Sequence, residues 1–162
     1  MTQAYISADK ELLRQQAKDA RLAMSPDDVA VKSQIITKKV LAFIDWAHVR
    51  TVHVYNSVPD WKEVDTTELV KKLGKKRGVK IVSPPIDRDN PIPAERFDVI
   101  IVPTLAFDNR NNRLGLGGGW YDKFLVTQPE SLKVGLCFEA GRLPRIPTEP
   151  HDIKLDQVIT EA

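Results

Sequence analysis

The chain has 162 residues, 42% of them hydrophobic, which suffices for one core-bearing domain spanning residues 1–162. Its 24 Lys+Arg against 22 Asp+Glu leave a net charge of +2, giving no general case for nucleic acid or an anionic membrane as partner. A single cysteine, Cys137 in the apolar run VGLCF, excludes a disulfide framework and a cysteine-based metal site, and reads as a buried thiol in a strand. No apolar run is long enough to span a bilayer and the N-terminus carries no apolar leader, so the expected location is the cytoplasm.

In chain order, Ser7 is a cap for a first helix reaching about Met24, with Leu12, Leu13, Ala17 and Ala20 as its apolar stripe. Lys10, Arg14, Lys18 and Arg21 recur three or four residues apart and make one flank basic. The second helix has a sharper start: Ser25 at the N-cap, Pro26 at the first helical position and Asp28 three residues past the cap. Val29, Ile35, Ile36, Val40, Phe43 and Ile44 suit a helix packed on one side.

Thereafter the period changes. Residues 51–55 read as a strand, 66–77 as a helix capped by Thr66 or Thr67 and stopping near Gly74 or Gly78, and 79–83 as a strand halted by Pro84 and Pro85. The basic run Lys71, Lys72, Lys75, Lys76 and Arg77 is the solvated, C-terminal end of that helix. Residues 84–95 form a proline-bearing connection too short for the helix of a normal crossover. Residues 97–102 are almost continuously apolar, as in a parallel strand covered on both faces; a helix begins near Trp120, and strands follow at 134–138 and 158–160. This order predicts an α/β protein, a three-layer α/β/α domain with a mostly parallel sheet.

The segment RLGLGGGWYDKFL, residues 113–125, carries the chemistry. Gly115, Gly117, Gly118 and Gly119 lie between a buried strand and a helix, where backbone N–H groups can cradle an anion. Arg113 can grip a phosphate or carboxylate bidentately, with Lys123 a more mobile charge. Asp122, early in the helix, fits beside an anion if Mg²⁺ lies between carboxylate and phosphate. The spacing is neither a Walker loop nor a dinucleotide fingerprint. Trp120 and Tyr121 can stack on a flat ligand or anchor the helix in the core. Asp108 is placed to order the loop by hydrogen bonding. Asp152 is a candidate Mg²⁺ ligand with His151 at the rim, and His48 and His53 are ordinary, the latter exposed or half-buried.

The stretch 105–125, with KELLR at 10–14, EVDTTELV at 63–70 and IPTEPHDIKLDQVITE at 146–161, resembles the 5-formyltetrahydrofolate cyclo-ligase family, also called 5,10-methenyltetrahydrofolate synthetases. The resemblance implies an ATP-dependent closure of 5-formyltetrahydrofolate to 5,10-methenyltetrahydrofolate with Mg²⁺, on a cyclo-ligase-like α/β fold. It implies that Lys10 and Arg14 hold ATP phosphates, with Gly115, Gly117, Gly118, Gly119 and Trp120 at the nucleotide. Arg113 then meets the transferring phosphoryl group, and Tyr121 and Asp122 form the catalytic YD pair. Asp122 and Asp152 are the metal ligands, and Glu63 lies on the folate side. The resemblance leaves monomer and homodimer both open.

One departure stands out. Family members usually carry several tens of residues between the equivalents of Pro84–Pro85 and the VIIVP strand, including a substrate-facing stretch; here 86–96 fill the gap. The chain is therefore a shortened member, and a second expectation stands beside the first: a homologue that binds a nucleotide or phosphorylated ligand without folate cyclo-ligase activity.

Overall fold

The computed structural model describes residues 3–83 and 91–162. Residues 84–90, most of the connection read from the sequence, lie outside the described residues.

Five strands form one parallel sheet: β1 (Thr51–Val54), β2 (Lys80–Val82), β3 (Val99–Pro103), β6 (Leu132–Leu136) and β7 (Gln157–Ile159), in the order β2-β1-β3-β6-β7. β1 leads outward to β2 on one side, and the chain then returns to β3 on the other. The carboxyl ends of β1 and β3 therefore flank the switch point, where open parallel sheets bind ligands.

Alternation along β3 explains the layers. Val99 and Ile101 join Val52, Val54, Val134 and Leu136 on one face, covered by α2 (Pro26–Phe43) and α3 (Thr67–Leu73) through Ile36, Val40, Leu69 and Leu73. Ile100 and Val102 face the other way and meet Phe124 and Leu125 of α4 (Trp120–Val126). This is the expected three-layer α/β/α arrangement with a parallel main sheet. Among the described residues, no helix is long and apolar enough to cross a membrane.

The local signals of α2 hold: Ser25 Oγ accepts from Asp28 N at 3.1 Å and Asp28 Oδ2 accepts from Ser25 N at 3.2 Å, a closed capping box. At α3 the capping differs from expectation. Thr66 precedes the helix but donates its hydroxyl to Tyr55 O at 2.8 Å, and Asp65 takes the capping bond from Thr67 N at 2.9 Å. Thr66 is buried, so its hydroxyl is committed to joining α3 to the end of β1.

The first helix departs further. α1 spans Gln3–Leu22, so Ser7 lies inside it and caps nothing. Leu12 and Ala20, read as part of its apolar stripe, are exposed, whereas Lys10, Ala17 and Arg21 are buried. The helix turns its basic flank toward the cleft, where Lys10 meets Glu149 and Asp152, while Ala17 and Leu13 join Leu105, Ala106, Leu114 and Ile146 in a small apolar cluster.

Between β3 and the glycines the chain forms an antiparallel hairpin of β4 (Ala106–Phe107) and β5 (Arg113–Leu114). Asp108 orders its turn, as anticipated. Its Oδ1 accepts from Arg110 N at 2.9 Å and Asn112 N at 3.1 Å, and its Oδ2 from Ile146 N at 3.0 Å. Burial pushes the Asp108 carboxyl upward, yet these donors and the Asn112 side chain outweigh it and hold the group below the usual carboxylate range.

His53 overturns the expectation of an exposed or half-buried side chain. It is 0% exposed, because both sheet faces are covered and alternation leaves no wet side. Its ring sits among Phe97, Trp120, Tyr121 and Phe124, with centroids 4.8–6.2 Å away, and neither ring nitrogen has a hydrogen-bond partner among the described residues. Burial lowers its pKa to about 4. The unfolded chain, with an ordinary imidazole near 6.5, binds this proton more readily, so stability falls as pH drops from about 6.5 toward 4, by about 3 kcal/mol in total. Replacing His53→Leu is expected to flatten that acid limb in denaturant melts taken between pH 7 and 4. An unchanged limb would assign the acid sensitivity elsewhere.

Candidate active site

A cleft of about 390 Å³ opens at the carboxyl ends of β1 and β3. Its walls come from α1, the segments after β1 and β3, the glycine segment before α4, and the 149–152 turn. Such a volume suits small ligands.

One end is a lattice of ion pairs. Lys10, 3% exposed, donates to Glu149 Oε2 at 2.7 Å and to Asp152 Oδ2 at 2.5 Å. Asp152 Oδ2 also accepts from Glu149 N at 2.7 Å, so the turn is folded around its own carboxylate. Arg113 donates from Nη2 to Asp122 Oδ1 at 3.1 Å, and the same oxygen accepts from Ile153 N at 3.1 Å. Asp122 thus sits against the backbone next to Asp152. Burial lowers the pKa of Arg113, while Asp122, Tyr121 and Asp152 oppose that shift and keep the cation paired. The Arg113 Nε is buried without a partner among the described residues, as are the Nε atoms of Arg14 and Arg21.

The glycines leave the floor of this end open. Gly117 (φ +102) and Gly119 (φ +69) hold left-handed conformations that side chains rarely adopt. A Cβ on Gly117 would stand 3.7 Å from the Arg14 guanidinium, and one on Gly118 or Gly119 would have nothing within 4 Å. The exposed backbone of Gly117 to Gly119 therefore faces free space beside Arg14.

The other end is more apolar. Tyr55, Val58, Trp61 and Glu63 line it, with Arg21 from the last turn of α1. Glu63 is 8% exposed and its Oε2 accepts from Val58 N at 2.8 Å. Burial raises the Glu63 pKa, against the opposing pull of that bond and of Arg21.

The residues that the family resemblance assigns to the site all line the cleft: Lys10, Arg14, Glu63, Arg113, Gly115, Gly117, Gly118, Gly119, Trp120, Tyr121, Asp122 and Asp152. Lys123 does not; it is exposed on the outer side of α4. Tyr121 lies under Arg113, 6.0 Å from guanidinium carbon to ring centroid, and burial pushes its phenol well above the ordinary value, leaving it a hydrogen-bond donor and not a base at neutral pH. Trp120 and Tyr121 also pack on Phe124 and His53, so they anchor α4 while edging the cleft. Sequence reasoning missed Glu149 and gave Arg21 no site role. The four- and seven-residue spacing of Lys10, Arg14 and Arg21 was the available signal for the latter.

Glu149, His151 and Asp152 offer ligand atoms within 4.8 Å of one another, with His151 mostly exposed at the rim. Carboxylate oxygens are the donors Mg²⁺ takes, but Asp122 is not part of this group: its Oδ1 accepts from Arg113 Nη2 and from Ile153 N, the residue after Asp152.

The 5-formyltetrahydrofolate cyclo-ligase family model matches residues 6–89 and 74–161. The chain is 25% identical to the mouse 5-formyltetrahydrofolate cyclo-ligase over 200 positions, covering 99% of this chain and 98% of that protein. The Escherichia coli K12 protein of the same name is 39% identical over 88 positions, 51% of this chain and 46% of that one. Among solved structures, a 5,10-methenyltetrahydrofolate synthetase from Mycoplasma pneumoniae superposes with a TM-score of 0.81 at 24% identity, over 95% of this chain and 99% of the other. The Aquifex aeolicus 5,10-methenyltetrahydrofolate synthetase gives 0.77 at 25% identity, over 94% and 89%.

These matches also bear on size. The mouse alignment runs over 200 positions against 162 residues here, so that protein carries tens of residues without a counterpart. The Mycoplasma pneumoniae 5-formyltetrahydrofolate cyclo-ligase aligns over 167 positions that take in 99% of it, so a protein of that name is about as short as this chain. With the family model matched from end to end and the fold shared, the chain belongs to the 5-formyltetrahydrofolate cyclo-ligase family.

Proposed function

We propose that the protein closes 5-formyltetrahydrofolate to 5,10-methenyltetrahydrofolate at the expense of ATP, which leaves as ADP and phosphate. The observation that carries this reading is the two-ended cleft, with a cationic glycine-floored end and an apolar end holding a buried carboxylate, in a chain of this family. At a rise of about 1.5 Å per residue, Arg14 lies about 6 Å and Arg21 about 16 Å along the α1 axis from Lys10. One helix therefore borders both substrates.

The chemistry needs an amide oxygen turned into a leaving group. The formyl oxygen of 5-formyltetrahydrofolate attacks the γ-phosphorus, ADP departs, and N10 then adds to the activated carbon as phosphate leaves with that oxygen; the N10 proton is lost to solvent. In this reading Arg113 meets charge on the transferring phosphoryl group, Lys10 and Arg14 hold the triphosphate, and the open glycine backbone receives its oxygens, roles supported by their common place on the cleft wall. Mg²⁺, when bound, neutralises phosphate charge, and Asp122 and Asp152 are the residues to hold it. Glu63 accepts from pterin N–H groups. Cys137 is buried, donates to Leu105 O at 3.5 Å and has its thiol pushed up by burial, which leaves it a thiol and not a thiolate.

The test is loss of 5-formyltetrahydrofolate matched by ADP formation, abolished by chelating Mg²⁺. Binding of ATP without folate turnover would replace this reading with that of a nucleotide-binding homologue. Arg113→Ala is expected to lower kcat by about 10²–10³ while the Kd for 5-formyltetrahydrofolate stays within a few-fold. A kcat equal to wild type would remove Arg113 from the phosphoryl-transfer role. Asp122→Ala strips Arg113 of its partner and Ile153 N of its acceptor, and is expected to cost about 2 kcal/mol in urea unfolding. Unaltered stability would show that solvent replaces the pair.

A further inference from the structure

Arg21 is a cation that the phosphate end does not use. It sits in the last turn of α1, 8% exposed, on the wall of the cleft end that holds Glu63. Its Nε is buried with no hydrogen-bond partner among the described residues. Arg21 and Glu63 influence each other electrostatically, yet among the described residues no ion pair within 4.0 Å joins them. Tyr55, the nearby hydroxyl, donates to Val64 O at 2.8 Å, and among the described residues no hydrogen bond joins it to Arg21.

A buried guanidinium and a buried carboxylate that face one cavity without closing on each other leave two desolvated, opposite charges to be satisfied from the cavity. The ligand that matches them presents an acceptor beside a donor on one rigid edge. The lactam edge of a pterin does so, with a ring carbonyl oxygen, a ring N–H and an amino group in a row.

Building on the folate reading above, we infer that Arg21 is a specificity-determining residue that donates to the pterin ring carbonyl while Glu63 accepts from the adjacent N–H groups. The guanidinium cannot accept a hydrogen bond, so an amino group in place of the carbonyl meets a donor with a donor. Arg21 therefore selects oxo over amino rings, in the way that buried polar groups reject a ligand which leaves them unpaired. Its position on α1 links this selection to the helix that also carries Lys10 and Arg14.

The experiment compares 5-formyltetrahydrofolate with its 4-amino-4-deoxy counterpart by calorimetry on wild type, Arg21→Met and Arg21→Lys, with ATP binding as a control. Arg21→Met is expected to weaken the oxo ligand by about 10- to 100-fold and the amino ligand by less than threefold, with ATP affinity within twofold of wild type. Arg21→Lys keeps a donor and is expected to retain part of the preference, and it answers the question if Arg21→Met fails to fold. Equal losses for both ligands, or no loss for either, in a wild type that turns over 5-formyltetrahydrofolate would overturn the Arg21 assignment alone. A wild type that neither binds nor converts 5-formyltetrahydrofolate would overturn the folate reading and this assignment with it.

Discussion

The fold turns on the burial of a cationic helix flank. Lys10 is almost fully removed from water and is tolerated only because Glu149 and Asp152 meet its ammonium from the far end of the chain. A buried ammonium without partners would cost several kcal/mol, so the position of α1 depends on the 149–152 turn. That turn in turn depends on Lys10, since Glu149 and Asp152 would otherwise repel each other. Held together, α1 and that turn wall one end of the cleft.

The sheet supplies the rigid part of the arrangement. Gly135 in β6 lacks a side chain where a Cβ would stand 2.5 Å from Leu155 and 2.7 Å from Thr104. This lets the C-terminal segment press against the carboxyl end of the sheet, and Leu155 N then bonds Asn111 O at 3.1 Å. The hairpin that carries Arg113, the helix that carries Asp122 and the turn that carries Asp152 are thereby fixed to one another. Their charges are set by backbone positions as much as by side-chain reach.

Much of this was legible in the sequence where a signal was local or dense. The Ser25–Asp28 box, the apolar run of β3 and the glycine segment with its flanking Arg113 and Asp122 each declared themselves through one chemical rule. What the sequence hid was of another kind. The orientation of α1 departs from its apolar spacing because that rule assumes a helix turns its hydrophobic side inward, whereas this one borders a cleft and turns its cations toward it. β4 and β5 are two residues each, too short for period-two alternation to show. His53 looked like the polar half of an alternating strand, and only the coverage of both faces by helices makes it interior. Glu149 became visible only once Lys10 was seen to need two acceptors.

The same charge balance bears on how the proposed reaction begins. Lys10 and Arg113 are both paired with protein carboxylates before any nucleotide arrives, so a triphosphate must compete with Glu149, Asp152 and Asp122 for the cations it needs. A metal-free triphosphate would release those carboxylates unpaired beside more negative charge, an unfavourable exchange in a partly desolvated cleft. A triphosphate carrying Mg²⁺ would, on the proposed reading, bring a cation of its own to the carboxylates that lose Lys10 and Arg113. On the proposed reading, the ion-pair lattice therefore favours the metal-bound nucleotide as the species that enters, and Arg113 is freed toward the phosphoryl group only when Asp122 has acquired another partner.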